Sequence, residues 1–334
     1  MANDKIYKIC MVGCGYMSAG LHGPAIKKYE ALCGNVRFAA CCDTDAEKAR
    51  RFKEDFGLAS YYTDTDAMLE AERPDAVSLI VPVDRTADLA CDILRKGYPL
   101  ITEKPPGMDA AETLRMIKAA SEGGAPNQVA FNRRYMPLVQ KLMELLHETG
   151  RGGCVTDVHY KMTRVRRIEP DFSTTAIHGI DLVRHIAKSD YRSIDIKYRE
   201  ITPEGAADIR MDCEMASGAY ARLDFLPDTG VDTERLEINA NRGTFLVNLT
   251  YGKACADYPG RLRYFEKNKL VHDLDGGSIS GSLEEFINGG FYGENASFLD
   301  DVINGRKPAG DIASGLQPVE IACCVRRKDA VYRG

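Results

Sequence analysis

The sequence predicts an α/β chain in two parts, a doubly wound parallel sheet at the N-terminus and then an α+β part with a large open, mostly antiparallel sheet. Three observations carry this. Short apolar runs alternate with amphipathic stretches through the first third of the chain, at the spacing of βα units. A glycine pair, Gly13 and Gly15, stands between the first apolar run and the helix that follows. Beyond Gly150 the alternation stops and strand-like runs succeed one another.

The elements of the first part follow in order. Residues 6–12 read as a buried strand, followed by Gly13-Cys14-Gly15-Tyr16-Met17-Ser18. This is a G-x-G-x-x-S version of the dinucleotide fingerprint. The first glycine permits a tight turn, the second lets a pyrophosphate approach the backbone, and the third position governs helix–strand packing. The helix after it offers unpaired N–H groups and a positive dipole end to that phosphate. Tyr16 and Met17, inside the fingerprint, join the glycines as candidate cofactor contacts. A second apolar strand, 36–42, ends in Asp43. An acid there can accept hydrogen bonds from both adenosine ribose hydroxyls and repels a 2′-phosphate, so NAD(H) is favoured over NADP(H). The bland role for Asp43 is a helix cap, but Asp45 is the better cap candidate for the helix over 45–56.

The alternation then continues. Residues 67–72 read as a helix and 76–81 as a buried strand ending at Pro82, a further cofactor candidate. Residues 86–96 form an amphipathic helix stopped by Gly97, 99–102 a strand, 110–122 a helix closed by Gly123-Gly124, and 127–131 a further strand. This is the Rossmann pattern, and such sheets bind ligands at the carboxyl ends of their strands. Glu103-Lys104-Pro105-Pro106-Gly107 lies at one of those ends.

The second part opens with Arg133-Arg134-Tyr135 and a helical stretch over 136–149. Strands are predicted at 155–165, 193–200, 209–215, 219–225, 235–239, 244–249 and 261–266, with hairpin turns at Ser217-Gly218 and Arg242-Gly243. Between them, apolar spacing predicts a helix over 176–188 beginning near Thr175. His178, Asp181 and His185 then share one flank. That flank resembles a metal face, but no further cysteine or acid cluster supports one, so no metal is assigned.

At 334 residues the chain is long enough for two domains. We expect a dinucleotide-binding domain over 1–125 and a substrate-binding and oligomerisation domain over 126–334. The 44 Lys and Arg against 49 Asp and Glu give a net charge of -5, which leaves no basic excess for a nucleic acid. No apolar run is long enough to span a membrane, and the charged start is not a secretion leader. Eleven cysteines without a C-x-x-C unit read as small buried hydrophobes in a reducing, cytoplasmic setting.

Several of these segments together resemble the glucose–fructose oxidoreductase / inositol dehydrogenase (Gfo/Idh/MocA) family of sugar and cyclitol oxidoreductases. The match is carried by the Gly13/Gly15 loop, by Pro74-Asp75-Ala76-Val77 leading to Pro82, by Glu103-Lys104-Pro105, and by His178-Gly179-Ile180-Asp181. Residues 291–294, 298–301 and 305–308 are similar to the family's closing helix and loop. The resemblance implies a Rossmann domain, then an open sheet whose exposed face commonly joins subunits, and hence a homodimer or homotetramer. It implies that Lys104 hydrogen-bonds the reacting hydroxyl and approaches the nicotinamide ribose, and that Pro105 sits on a cis bond, with Glu103 part of the cofactor site. Chemistry agrees: alcohol oxidation needs a hydride acceptor and a base, and Lys104 and His178 suit the proton transfer, with Asp181 orienting the histidine. Arg134, Tyr160, Arg164, Thr174 and Tyr292, beside Lys104 and His178, are candidates for holding a small polyhydroxylated substrate.

Two positions depart from the family pattern. Thr174 stands where an aspartate is common four residues before the histidine, leaving Asp171 or Asp181 to supply the charge, and Thr86 stands where a histidine is common after Pro82. An NAD(P)-dependent dehydrogenase or reductase is the leading expectation. An NAD-dependent glycosidase working by transient oxidation, and a silent NAD(H)-binding sensor, are the alternatives.

Overall fold

The computed structural model describes residues 5–250 and 252–334. The first four residues of the charged start lie outside them. The chain folds into two compact units: Met1–Asn132 with Phe291–Val319, and Arg133–Gly290 with Glu320–Gly334.

In the first unit, strands and helices alternate along the chain: β1 (Tyr7–Val12), α1 (Gly23–Cys33), β2 (Val36–Cys42), α2 (Ala46–Phe56), β3 (Ser60–Tyr62), α3 (Thr65–Glu72), β4 (Ala76–Leu79), α4 (Val83–Arg95), β5 (Leu100–Glu103), α5 (Ala110–Gly123) and β6 (Asn127–Ala130). All pairs are parallel, in the order β3-β2-β1-β4-β5-β6. Strand order reverses between β1 and β4, and the ligand crevice of such a sheet lies at the carboxyl ends on either side of that point. The buried runs of β1, β2 and β4 have no polar alternation because helices cover both faces. Asp45 caps α2 by accepting from the N–H groups of Glu47 and Lys48, which leaves Asp43 for another task. The third strand was not foreseen: three half-exposed residues are too few to show a period.

The second unit carries α6 (Pro137–Glu148), β7 (Val155–Thr163), α7 (Ser173–Ala187), β8 (Tyr191–Glu200), β9 (Ala207–Met215), β10 (Tyr220–Leu226), β11 (Thr233–Ala240), β12 (Gly243–Leu249), β13 (Arg261–Glu266), β14 (Lys269–Asp275) and the short helices α8 (Gly276–Ser280) and α9 (Glu285–Asn288). Its inward residues, among them Leu223, Phe225, Leu236, Ile238 and Phe245, form one core with Leu142, Ile180 and Val183 from the helices. The β11–β12 turn sits one residue earlier than expected. Asn241 and Arg242 take the two left-handed positions (φ 42° and 67°), and Gly243 already pairs with Ala240.

The chain then returns. The helix α10 (Phe291–Ile303) packs on α1 in the first unit, where Phe298 and Leu299 join the core of Ile9, Met11 and Phe38. The helix α11 (Leu316–Arg327) and the strand β15 (Val331–Arg333) follow. That last strand completes a nine-stranded sheet ordered β14-β13-β12-β11-β7-β10-β9-β8-β15, antiparallel except for the β7/β10 pair. The domain boundary therefore differs from the expected break at 125/126. The strand β6 belongs to the first unit, as does a stretch nearly 160 residues further on, because the apolar face of α10 finds its partners there.

Candidate functional site

The glycine loop is built as its chemistry requires. Gly13 has φ +94°, and a Cβ there would lie 1.9 Å from the Ile80 carbonyl oxygen, so no other residue fits. Gly15 differs: a Cβ would meet no atom within 4 Å. The fold does not demand glycine there, but a phosphate approaching the backbone would. Asp43, at the end of β2, faces this loop and accepts the Cys14 N–H at 2.8 Å with one oxygen and the Asp45 N–H at 2.9 Å with the other. Tyr16, 83% exposed, projects from the loop, and Met17 packs half-buried on the core. Pro82 ends the β4 segment, and Thr86 donates its hydroxyl to the Pro82 carbonyl at 3.3 Å. A glycine with open space over it, an acid at the end of β2 and a helix start beside them fit a dinucleotide.

Glu103, Lys104 and Pro105 stand at the carboxyl end of β5, in the same unit, and the Lys104–Pro105 bond is cis. Glu103 is turned inward. Its Oε1 lies 3.0 Å from Nε2 of the fully buried His22, and its Oε2 accepts the Lys104 backbone N–H at 2.9 Å. Burial alone would raise this carboxyl, but the hydrogen bond from His22, with the Lys104 ammonium and backbone N–H, holds it below the usual carboxylate range. His22 was missed by sequence reasoning. Its only signal was a histidine in phase with the apolar positions of the first helix.

The second unit holds the histidine and most of the expected substrate contacts. His178 and Thr174 lie on α7, whose start is fixed by Asp171, which accepts the Ser173 N–H at 2.8 Å. Gly179 lets this helix lie close to the sheet: a Cβ there would fall 2.4 Å from the Tyr160 ring. Several expected roles change. Asp181 does not stand free to orient His178, because it is buried in a two-point ion pair with Arg134 (Nε to Oδ2, 2.8 Å). Asp171 pairs with Arg326 at 3.2 Å. Both acids that were to replace the absent family aspartate therefore have cations of their own.

Arg134, Tyr160 and Arg164 were expected to hold substrate, but the structure commits them internally. Tyr160 and Arg164 converge on the fully buried Glu234, where the phenol donates at 2.9 Å and Arg164 ion-pairs, while Arg133 adds a second two-point pair (2.7 and 2.6 Å). Burial opposes the Glu234 charge, yet the two guanidiniums outweigh it and hold the carboxyl at about 2. Tyr160 is raised well above its ordinary value by burial and by Glu234. His185, also on α7, is lowered to about 4 by burial and the nearby Arg134 charge. Tyr292 sits in the other unit, on α10, with Lys28 Nζ 5.7 Å from its ring centroid. Glu234 too was missed, although an acid in phase with the inward apolar positions 236, 238 and 240 of β11 was the available signal.

Among the described residues no group of three or more His, Cys, Asp or Glu side chains could hold a metal ion, and no helix is long and apolar enough to cross a membrane. All eleven cysteines are free thiols.

Comparison with known proteins bears on this arrangement. Residues 7–131 match the model of the oxidoreductase family with an NAD-binding Rossmann fold. An inositol 2-dehydrogenase from Gluconacetobacter diazotrophicus is 29% identical over 209 residues, 60% of this chain and 61% of that enzyme. The match thus spans about three-fifths of that relative's length. An inositol 2-dehydrogenase from Streptomyces avermitilis is 25% identical over 284 residues, 81% of each chain. The solved structure of a dehydrogenase from Chromobacterium violaceum superposes with a TM-score of 0.84 over 98% of this chain and 96% of that one, at 21% identity, a likeness of fold.

Proposed function

We propose, from the match of residues 7–131 to the model of the oxidoreductase family with an NAD-binding Rossmann fold, that this chain is an NAD(H)-dependent dehydrogenase or reductase of a sugar, sugar derivative or cyclitol. One observation carries the reading. Gly13, Gly15, Asp43 and Glu103-Lys104-Pro105 follow the carboxyl ends of β1, β2 and β5 in one compact unit, on either side of the point between β1 and β4 where strand order reverses. The nicotinamide, when bound, supplies the hydride acceptor or donor for the substrate carbon.

The chain's own residues do the rest. Gly15 leaves room for the pyrophosphate, and Asp43 takes the ribose hydroxyls and disfavours a 2′-phosphate, which supports NAD(H) over NADP(H). Tyr16, Met17 and Pro82 border the bound dinucleotide. Lys104 donates to the reacting oxygen and stabilises its negative charge during oxidation. His178 moves the proton. Thr174 offers a neutral hydroxyl to the substrate where relatives of the pattern have a charge. Arg134 and Asp181 stabilise α7 rather than touch substrate, since each neutralises the other. The inositol 2-dehydrogenases among the relatives make a cyclitol or sugar the first substrate class to try.

A homodimer or homotetramer is part of the proposal. The outward face of the large sheet is charged rather than apolar. Rows of polar and charged side chains of both signs run across the strands, such as Glu237–His159–Arg222–Asp212, a surface suited to register with a second copy.

Calorimetric titration with NADH and NADPH, then a screen of sugars and inositols for NAD reduction, tests the reading. NADH binding at least tenfold tighter than NADPH, with turnover of one polyol, is the expected result. Lys104→Ala should lower kcat by about 10²-fold or more while leaving NADH affinity within about twofold. Unchanged turnover in that variant removes Lys104 from the chemistry, and no binding of either nucleotide removes the whole reading.

A further inference from the structure

His22 is an expensive residue to bury. It is fully buried, it faces two acids, and nothing in the hydride chemistry above uses it. Its position comes from an irregularity. After the glycine loop the helix opens into one wide turn, in which the Gly23 N–H reaches the Ser18 carbonyl five residues back. Wide turns of this kind insert one residue and re-aim a side chain, often at functional sites. Here the re-aimed side chain is His22.

The contacts form a chain that links α10 to the end of β5. Asn295 on α10 uses its amide nitrogen, which can only donate, toward His22 Nδ1 at 3.1 Å and the Phe291 carbonyl at 2.8 Å. With Nδ1 accepting, the imidazole proton lies on Nε2, which faces Glu103 Oε1 at 3.0 Å. The other oxygen of Glu103 accepts the Lys104 backbone N–H at 2.9 Å. Glu103 is the last residue of β5 and Lys104 follows it directly, so the carboxylate that accepts this N–H fixes the backbone from which the lysine side chain departs. The charged groups facing this pair are Lys104, the residue after β5, and Glu294 on α10, whose Oε1 is 3.9 Å from His22 Nδ1.

We infer that His22, braced by Asn295, is a positioning residue for Lys104: it holds Glu103 in place, and Glu103 holds the peptide that presents the lysine to substrate. The inference rests on the dehydrogenase reading. Glu103 is kept ionised by His22 against the effect of burial, and its charge in turn supports the Lys104 ammonium. An apolar side chain at position 22 would fill the space and leave Glu103 with burial dominating. The carboxyl would then take up a proton as the pH falls toward neutral, and Lys104 would lose both its fixed peptide and an anionic neighbour.

The experiment compares wild type with His22→Phe, His22→Gln and Glu103→Gln, all first checked by thermal melting. Two quantities are read. One is kcat against pH. The other is the titration of the Lys104 amine, followed by carbon NMR of the reductively methylated protein with Lys104→Gln as the assignment control. We expect His22→Phe to lower kcat by roughly ten- to a hundredfold with NADH affinity within about twofold, to move the acid limb up by about one pH unit, and to lower the Lys104 titration. Glu103→Gln should lower the Lys104 titration without an acid limb of its own. His22→Gln, whose amide can donate to Glu103 and accept from Asn295, should recover most of kcat. A His22→Phe protein that melts earlier but keeps the wild-type pH profile and Lys104 titration would make His22 a packing residue and overturn the inference. If wild type turns over no polyol, the dehydrogenase reading falls by itself, and the Lys104 titration alone decides whether His22 acts on the lysine.

Discussion

At the scale of single residues, the buried charges decide most. Glu234 answers two arginines at once, so removing its charge leaves two guanidiniums buried without their acid. Breaking one side of such a pair costs about 3–5 kcal/mol, and Glu234→Gln should lose that much in denaturant unfolding. The pH dependence follows from the depressed carboxyl. Its folded value of about 2 lies below the ordinary 4.5, so its contribution is complete above that ordinary value and is lost as pH falls from about 4.5 toward about 2. The stability gap between wild type and Glu234→Gln should close over that window, and a gap constant with pH would show that the charge is not what matters. Legibility at this scale divides by distance along the chain. The places of Gly13, Gly15, Asp43 and Lys104 at the strand ends could be read because each belongs to a short local motif. The fates of Asp181 and Glu234 could not, since their arginine partners lie 47 and 101 residues earlier. An acid and an arginine that cancel each other inside a core look, in sequence, like two candidates for a substrate.

At the scale of elements, α7 shows how a helix is held at a fixed distance from a sheet. Gly179, next to His178, faces the rings of Tyr160 and Phe225 (Cβ to Phe225 Cε1, 2.9 Å). Gly179→Ala should push the helix outward, destabilise the protein by about 1–3 kcal/mol, and lower kcat more than it raises KM, because His178 moves with the backbone. Thermal melts and steady-state kinetics on the same preparation check this, and full activity in a destabilised protein would separate the helix from the chemistry. The strands that could be read had a buried period, as in β9, where buried and exposed residues alternate. The strand β14 escaped because it is an edge strand with mostly exposed side chains, and β15 because it has three residues. The wide turn ahead of α1 escaped because i→i+5 bonding leaves no mark in an apolar pattern.

At the scale of the whole molecule, both halves of the fold class could be read, but the path of the chain between them could not. Local periodicity says what a segment becomes and is silent on which core receives it. The first unit lacks α10 until residues 291–303 arrive, and with α10 come Phe298, Leu299 and the Asn295 that braces His22. A fragment ending at residue 132 should therefore melt without cooperativity and bind NADH at least tenfold more weakly than the full chain. Adding a peptide of residues 291–319 should restore part of both, and a fragment that bound NADH normally alone would show the return segment to be dispensable. The same path has a consequence for the ribosome. At about 5–20 residues per second, some ten to thirty seconds of translation separate residue 132 from residue 291. During that interval the glycine loop exists without the segment that completes its unit. A chain stalled anywhere in that stretch carries the glycine loop without α10, and should be cut by protease faster than the full-length protein.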